Sequence, residues 1–497
     1  MINLSNETDY KLIFKTKNLY NFFFLLTIAL FIGVFLKISI LSLQEKNSPL
    51  DELNNRSSKI FSPTIYDTAG NRLAYSDYNF SIFKDKNIFE YLERNASNNK
   101  IRETLFIGNP NIKFEKILTR KHPFDKILSN TLGQVDIDHK GVSLIEKTLQ
   151  KNNEDLILGI DINIQKKVFE VLNEEIKFLN PDYGLNVIVD LSKEEIISNV
   201  FIDSRDEKFD DSLMPIKDLL FEFGSVFKPF TVYSALKNKK IDLNEFFDVD
   251  QPVFIGTKLI NDYPRNSSSP LQVKDILKSS SNRGAILIRR TLDCEKEFKD
   301  DFSNLGLLEN VSVGLNLLSK VPEINNFRGS YCDNYPYGYG MAISPIQLIN
   351  AYGKIVTGRD TFMATFEKKS IDKSNEFNSV STSINKLLFY ANETSEELYK
   401  NFLVAGKTGT ADISNKSSQN VTYISYFPYN NPKYLSLTFM SNPKNKYGPY
   451  MTAGNTVKPV FFNILKEIYV NLDLSILDIK GTDIWKNWKN YILRGTN

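Results

Sequence analysis

The longest apolar stretch of the chain lies near its start. Between Leu19 and Leu43 most positions carry Phe, Leu, Ile, Val or Ala, and Lys37 is the one charge. About 20 such residues cross a bilayer as a helix. The pattern therefore predicts a transmembrane helix over 19–43, preceded by a cytoplasmic tail over 1–18. Lys11, Lys15 and Lys17 set that orientation, and Lys37 lies near the far end, where its ammonium can reach the interface. No Ala-x-Ala cleavage pattern follows and no second span of this quality appears later. The remainder is expected outside the cytoplasmic membrane.

Beyond the span the pattern changes period. Residues 44–155 read as a separate module with strand-like pieces. Within Ser62–Ala74, the turn Ala69-Gly70-Asn71 separates two short strands, and Asn95–Asn99 reads as a surface loop. A further domain opens at Asp155–Asp161 and extends to about 475, leaving a tail over 476–497. Ile164, Val168, Val171, Leu172 and Ile176 make one stripe of an amphipathic helix over Ile164–Leu179. Leu185–Leu191 and Glu195–Phe201 flank Ser192-Lys193-Glu194 as a hairpin, and a polar loop covers 204–218. Late strands are predicted over Val421–Phe427 and Tyr434–Met440. Strands, then helices, then strands again make an α+β layer.

Composition narrows the chemistry. The 61 basic and 59 acidic residues leave a net charge of +2, which gives no footprint for nucleic acid. The two cysteines and two histidines form no cluster of the kind a structural zinc site needs, so no such metal is expected. Cys294 and Cys332 fit either one disulfide in an oxidising compartment or two free core thiols. His122 and His139 have no partner motif and read as surface or structural residues. A Ser-His-Asp triad is therefore not indicated, and a serine nucleophile here needs a lysine base.

Three stretches carry candidate chemistry. In Phe223–Phe230, Ser225 and Lys228 lie one helical turn apart, so the hydroxyl can meet the amine; an amine kept from water is neutral and takes a proton. The same spacing also fits a solvated helix face. In Lys278–Gly284, Ser280 and Asn282 can present a hydroxyl and an amide to one point, although serine and asparagine also serve as helix caps. In Val404–Ala411, Lys407, Thr408, Gly409 and Thr410 read as an edge strand along which a substrate backbone can lie, with a pocket for a carboxylate. A phosphate loop is excluded there because Asn401 stands where that motif needs glycine.

The ordered set Ser-x-x-Lys, Ser-x-Asn, Lys-Thr-Gly is that of serine β-lactamases and penicillin-binding proteins. From about residue 60 to 465 the chain resembles a class B penicillin-binding protein, most closely the septal, cell-division type (FtsI type). Gly224–Thr231, Gly338–Leu348 and Thr452–Phe461 are similar to that family's segments, and Ile65–Ala74 and Leu132–Glu146 to the entry and exit of its pedestal. Ser62-Pro63 and Thr68-Ala69 depart from the pedestal's usual residues, and the stretch between Phe83 and Phe114 is short. The resemblance implies a membrane helix, an elongated mostly-β pedestal over 44–155, and a transpeptidase domain over 156–475 with an antiparallel sheet sandwiched by helices.

It also implies roles. Ser225 is the nucleophile, Lys228 its base, Ser280 the proton relay held by Lys407, and Asn282 the holder of the donor peptide. Thr408, Gly409 and Thr410 bind substrate, and the N–H groups of Ser225 and Thr410 form the oxyanion hole. The implied ligands are peptidoglycan stem peptides and β-lactams, and no cofactor is implied. The implied partners are a polytopic membrane glycosyltransferase and other division proteins, at the bacterial inner membrane with the catalytic domain in the periplasm. Alternatives are the elongation-specific transpeptidase, a β-lactamase, and a non-catalytic β-lactam sensor or division scaffold. A class A β-lactamase uses Ser-Asp-Asn and a separate glutamate, and here the middle residue is Ser281.

Overall fold

A computed structural model of the chain describes residues 19, 21–37, 62–84, 112–137, 139–149, 154–205, 209–262, 269–394, 397–413 and 418–473. The chain divides into two compact units, Met1–Phe61 and Ser62–Asn497. In the first, residues 21–37 are helical. Among the described residues no helix is long and apolar enough to cross a membrane. The expected span continues over 38–43, outside the described residues, as do the loop at Asn95–Asn99 and the tail at 476–497.

The second unit begins with a four-stranded sheet. Strands β1 (Ile65–Tyr66), β2 (Arg72–Lys84), β3 (Ile112–Lys121) and β4 (Leu156–Ile157) are ordered β3-β2-β1-β4. The expected turn joins β1 to β2. Buried Asp67 fixes it, accepting the N–H groups of Ala69 at 2.9 Å and Asn71 at 2.7 Å. The domain boundary expected at Asp155–Asp161 falls on β4, which pairs parallel with β1 and so completes this sheet. Parallel pairing leaves no hairpin signature, which is why the segment reads as a new start. Both histidines serve one buried node. Glu146 accepts Arg120 Nε at 2.9 Å and lies 2.8 Å from His122 Nε2, while His139 Nδ1 accepts the Arg120 N–H at 3.3 Å.

The larger sheet has five strands: β5 (Tyr183–Asp190), β6 (Glu195–Asp203), β7 (Ala405–Asp412), β8 (Gln419–Phe427) and β9 (Tyr434–Ser441), in the order β7-β8-β9-β5-β6. All neighbours are antiparallel, and β9 closes the early hairpin to the late strands, with Leu437 opposite Val187. Alternate residues go to opposite faces, as a strand requires. Val187, Val189, Ile424, Leu435 and Leu437 enter the main core; Ile188, Val421, Tyr423 and Met440 enter a second core on the other face.

Helix α1 (Ile162–Leu179) covers that second face with Ile164, Val168, Leu172 and Ile176 buried. It starts at Asp161, whose carboxylate caps Asn163 N–H and Ile164 N–H, and stops at Asn180, which is left-handed at φ 46°. Helices α2 (Lys228–Lys237), α3 (Asn282–Arg290) and α4 (Pro345–Thr357) lie on the main-core side, and α5 (Val457–Ile468) packs beside α1. The sheet is thus sandwiched by helices. Cys294 and Cys332 form a disulfide, with Cα atoms 6.2 Å apart, which decides between the two readings of these cysteines.

Candidate active site

The nucleophile candidate sits in a tight turn. Gly224–Phe227 form a 3-10 turn that runs into α2. Gly224 holds φ +66°, a conformation open to glycine, and Pro229 occupies the first turn of α2, where a missing N–H costs nothing. A 3-10 turn eclipses positions i and i+3. Lys228 Nζ consequently lies 2.5 Å from Ser225 Oγ. The turn is pinned from below by buried Tyr352 of α4, whose hydroxyl donates to Val226 O at 2.8 Å.

The second stretch reaches the same amine. Lys228 Nζ contacts Asn282 Oδ1 at 2.8 Å and Ser280 Oγ at 3.3 Å. Ser280 takes φ +57°, which turns its hydroxyl inward just ahead of α3. Ser281 is the N-cap, accepting Gly284 N–H at 2.9 Å. Asp262 clamps this helix start: it accepts the Ser281 hydroxyl at 2.5 Å and the N–H groups of Asn282 at 2.6 Å and Arg283 at 3.0 Å. A carboxylate over three donors at a helix N-terminus is favourable on both charge and hydrogen-bond grounds. Among the described residues the Asn282 amide nitrogen makes one long bond, 3.4 Å to Asn261 O, and so keeps donor capacity.

The third stretch is β7, the edge strand of the sheet. Lys407 Nζ donates to Ser280 Oγ at 3.1 Å and to Thr408 O at 2.9 Å. The strand meets the turn backbone to backbone. A Cβ at Gly409 would overlap Phe223 O, and one at Gly224 would lie 2.6 Å from Thr410 O. Glycine at both positions is what allows the approach. Thr410 Oγ1 accepts Ala453 N–H at 3.2 Å, and Thr408 is half-buried. Ser225, Lys228, Ser280, Asn282 and Lys407 therefore form one contiguous hydrogen-bonded set, with Gly409 against the turn and the two threonines on the same strand.

Burial dominates the electrostatics. Lys228 is fully buried, which holds its amine well below the ordinary lysine range; the like charge of Lys407 pushes the same way and Asp262 opposes. Burial also lowers Lys407, to about 7, with Lys458 contributing. A neutral amine 2.5 Å from a hydroxyl can take its proton, and Ser280 touches both lysines as a bridge. Three contributors escape the sequence reading: Asp262, Tyr352 and Lys458. No local spacing marks them, because each acts across tertiary contacts.

A family model described as the penicillin binding protein transpeptidase domain matches residues 184–466. The chain is 25% identical over 408 residues to peptidoglycan D,D-transpeptidase FtsI of Buchnera aphidicola subsp. Baizongia pistaciae, covering 70% of this chain and 69% of that protein. It is likewise 25% identical over 439 residues to the probable peptidoglycan D,D-transpeptidase PenA of Neisseria meningitidis, covering 76% and 73%. Among solved structures, a peptidoglycan synthetase from Bifidobacterium adolescentis superposes with a TM-score of 0.66 at 17% identity, over 83% of this chain and 95% of that one. Penicillin binding protein 3 of Mycobacterium tuberculosis, complexed with aztreonam, does so at 0.65 and 16%, over 82% and 96%.

Proposed function

The chain belongs to the penicillin-binding protein transpeptidase family, and from that premise we propose that it is the septal peptidoglycan D,D-transpeptidase. One observation carries the reading: a fully buried lysine amine 2.5 Å from a serine hydroxyl, with Ser280 and Asn282 on the same nitrogen. Lys228 takes the Ser225 proton as Oγ bonds to the carbonyl carbon between two terminal D-alanines. The N–H groups of Ser225 and Thr410 hold the oxyanion, a contribution of about 3 kcal/mol per donor. The C–N bond then breaks, and the proton passes through Ser280 to the departing D-alanine. Lys407 orients Ser280, the Asn282 amide holds the donor peptide, and Thr408 and Thr410 hold its carboxylate. An amine of a second stem peptide next attacks the ester, forming the cross-link and returning the proton to Ser225. β-Lactams acylate Ser225 because their ring amide occupies the place of the D-alanyl-D-alanine bond.

On this reading the 19–43 segment anchors the protein in the inner membrane, its N-terminus is cytoplasmic, and residues 44–155 and 156–475 lie in the periplasm as pedestal and transpeptidase domain. A polytopic glycosyltransferase and other division proteins are the partners. Labelling with a fluorescent penicillin tests the site: Ser225→Ala is expected to abolish labelling, and persistent label overturns the assignment. Slow release of label is expected, whereas rapid turnover marks a β-lactamase. Depletion is expected to give filaments; round cells would assign the protein to elongation instead.

A further inference from the structure

The segment leading to Ser225 is paired with a second one that takes no part in the proposed chemistry. Phe221 N–H donates to Ile343 O at 2.9 Å, and Ile343 N–H returns to Phe221 O at 3.1 Å. One residue nearer the nucleophile, Glu222 Oε1 accepts Gly340 N–H at 2.8 Å. Two residues nearer still, a Cβ on Gly338 would overlap Gly224 O, so the two backbones touch. The same loop reaches the opposite wall, where the Tyr339 hydroxyl accepts the N–H of Asp412, the last residue of β7, at 3.2 Å. Its root is tied to α3. Asp333 takes Arg289 and Arg290 of that helix, and Cys332 is bonded to Cys294 just beyond it.

These contacts do different work. Where β7 meets the turn, the close approaches at Gly409 and Gly224 are repulsive walls. They limit how near the two can come and do not resist their separating. The Glu222 and Tyr339 hydrogen bonds, joined through the adjacent loop residues Tyr339 and Gly340, limit how far apart they can go. Oxyanion donors act only within about 0.4 Å of their optimal reach, and an error of about 1 Å costs on the order of a hundred-fold in rate.

We propose that Glu222 and Tyr339 are positioning residues for the transpeptidation: through the Gly338–Gly340 loop they hold the Ser225 turn and β7 at the separation where the Ser225 and Thr410 N–H groups meet one oxygen. The inference rests on those two groups being the oxyanion donors. Neither side chain touches the reacting atoms. Both act on the rate of bond formation and leave the binding of the intact β-lactam alone.

The test uses the full chain and a fluorescent penicillin, separating the limiting acylation rate from the non-covalent dissociation constant. Glu222→Ala and Tyr339→Phe are each expected to lower the limiting rate about ten-fold or more with the dissociation constant unchanged. Glu222→Gln keeps an acceptor oxygen for Gly340 and is expected to recover most of the loss. Tyr339→Phe removes one hydroxyl, so it remains informative if Glu222→Ala does not fold. Unchanged limiting rates, a loss confined to the dissociation constant, or no recovery in Glu222→Gln would overturn the proposal. Persistent labelling of Ser225→Ala would instead overturn the underlying reading of the nucleophile.

Discussion

Adding one methyl group at Gly409 tests how closely the site depends on backbone contact. An alanine Cβ there would overlap Phe223 O, and would lie 2.9 Å from Val226 Cγ1 and 3.2 Å from Val226 N. Two of these three neighbours are main chain, so no rotamer change relieves them. Restoring ordinary contact needs a shift of about 1 Å between β7 and the Ser225 turn. Neither side moves freely. Strand β7 is paired with β8 from Ala405 to Asp412, and the turn is held by the Tyr352 hydroxyl. The strain is divided between an overpacking cost of about 1–3 kcal/mol and a residual displacement of the Thr410 N–H from Ser225. A displacement of that size lowers the acylation rate roughly a hundred-fold, about 3 kcal/mol in activation free energy. The assay is the second-order rate constant for labelling by a fluorescent penicillin, with thermal unfolding measured on the same sample. Gly454→Ala is the control, since its Cβ meets nothing nearer than 3.7 Å. A folded Gly409→Ala protein that acylates within about three-fold of the parent refutes the reasoning.

Further outcomes follow from the geometry. Lys407, at about 7 when folded and near 10.5 when unfolded, makes the unfolded chain bind more protons between those values. Stability therefore rises with pH through that window and is lowest below it, a dependence that Lys407→Met should flatten in thermal melts. Acylation should quicken from mildly acidic to mildly alkaline pH, with midpoints belonging to the lysine pair together. Lys458→Met removes a like charge, so it should raise the Lys407 value and displace that rise toward higher pH. Asp262→Ala strips three donors of their acceptor at the start of α3 and should cost about 3 kcal/mol, seen as a melting temperature lowered by several degrees together with slower acylation. Reducing the disulfide, which closes a separation of 38 residues, should cost about 4 kcal/mol, read from melts with and without reductant.

How legible each part was depended on how far apart its pieces lie in sequence. Ser225 and Lys228 share one turn, so spacing alone places hydroxyl beside amine. The β5–β6 hairpin and the strands β8 and β9 were readable because alternation is a local property. Lys407 became readable only as the last member of an ordered set, since its partner Ser280 is 127 residues away. Asp262 left no trace, because a carboxylate in a loop acquires its role only when α3 folds over it. The sheet membership of β4 was hidden for the same reason, since a two-residue strand pairing parallel with β1 has no turn to announce it. For the cysteines, counting gave two options that only their placement could separate.

The position of β7, β8 and β9 late in the chain has a consequence during synthesis. A nascent chain that ends before residue 405 already contains Ser225 and Lys228, but it lacks β7, whose Lys407 contacts Ser280 and whose Gly409 lies against the Ser225 turn. Without the burial of the complete fold the Lys228 amine would stay protonated and could not take the Ser225 proton. On the proposed mechanism, Ser225 becomes reactive only when the last strands pair onto β5. A polypeptide still being made would, on that mechanism, not be acylated before the sheet is complete.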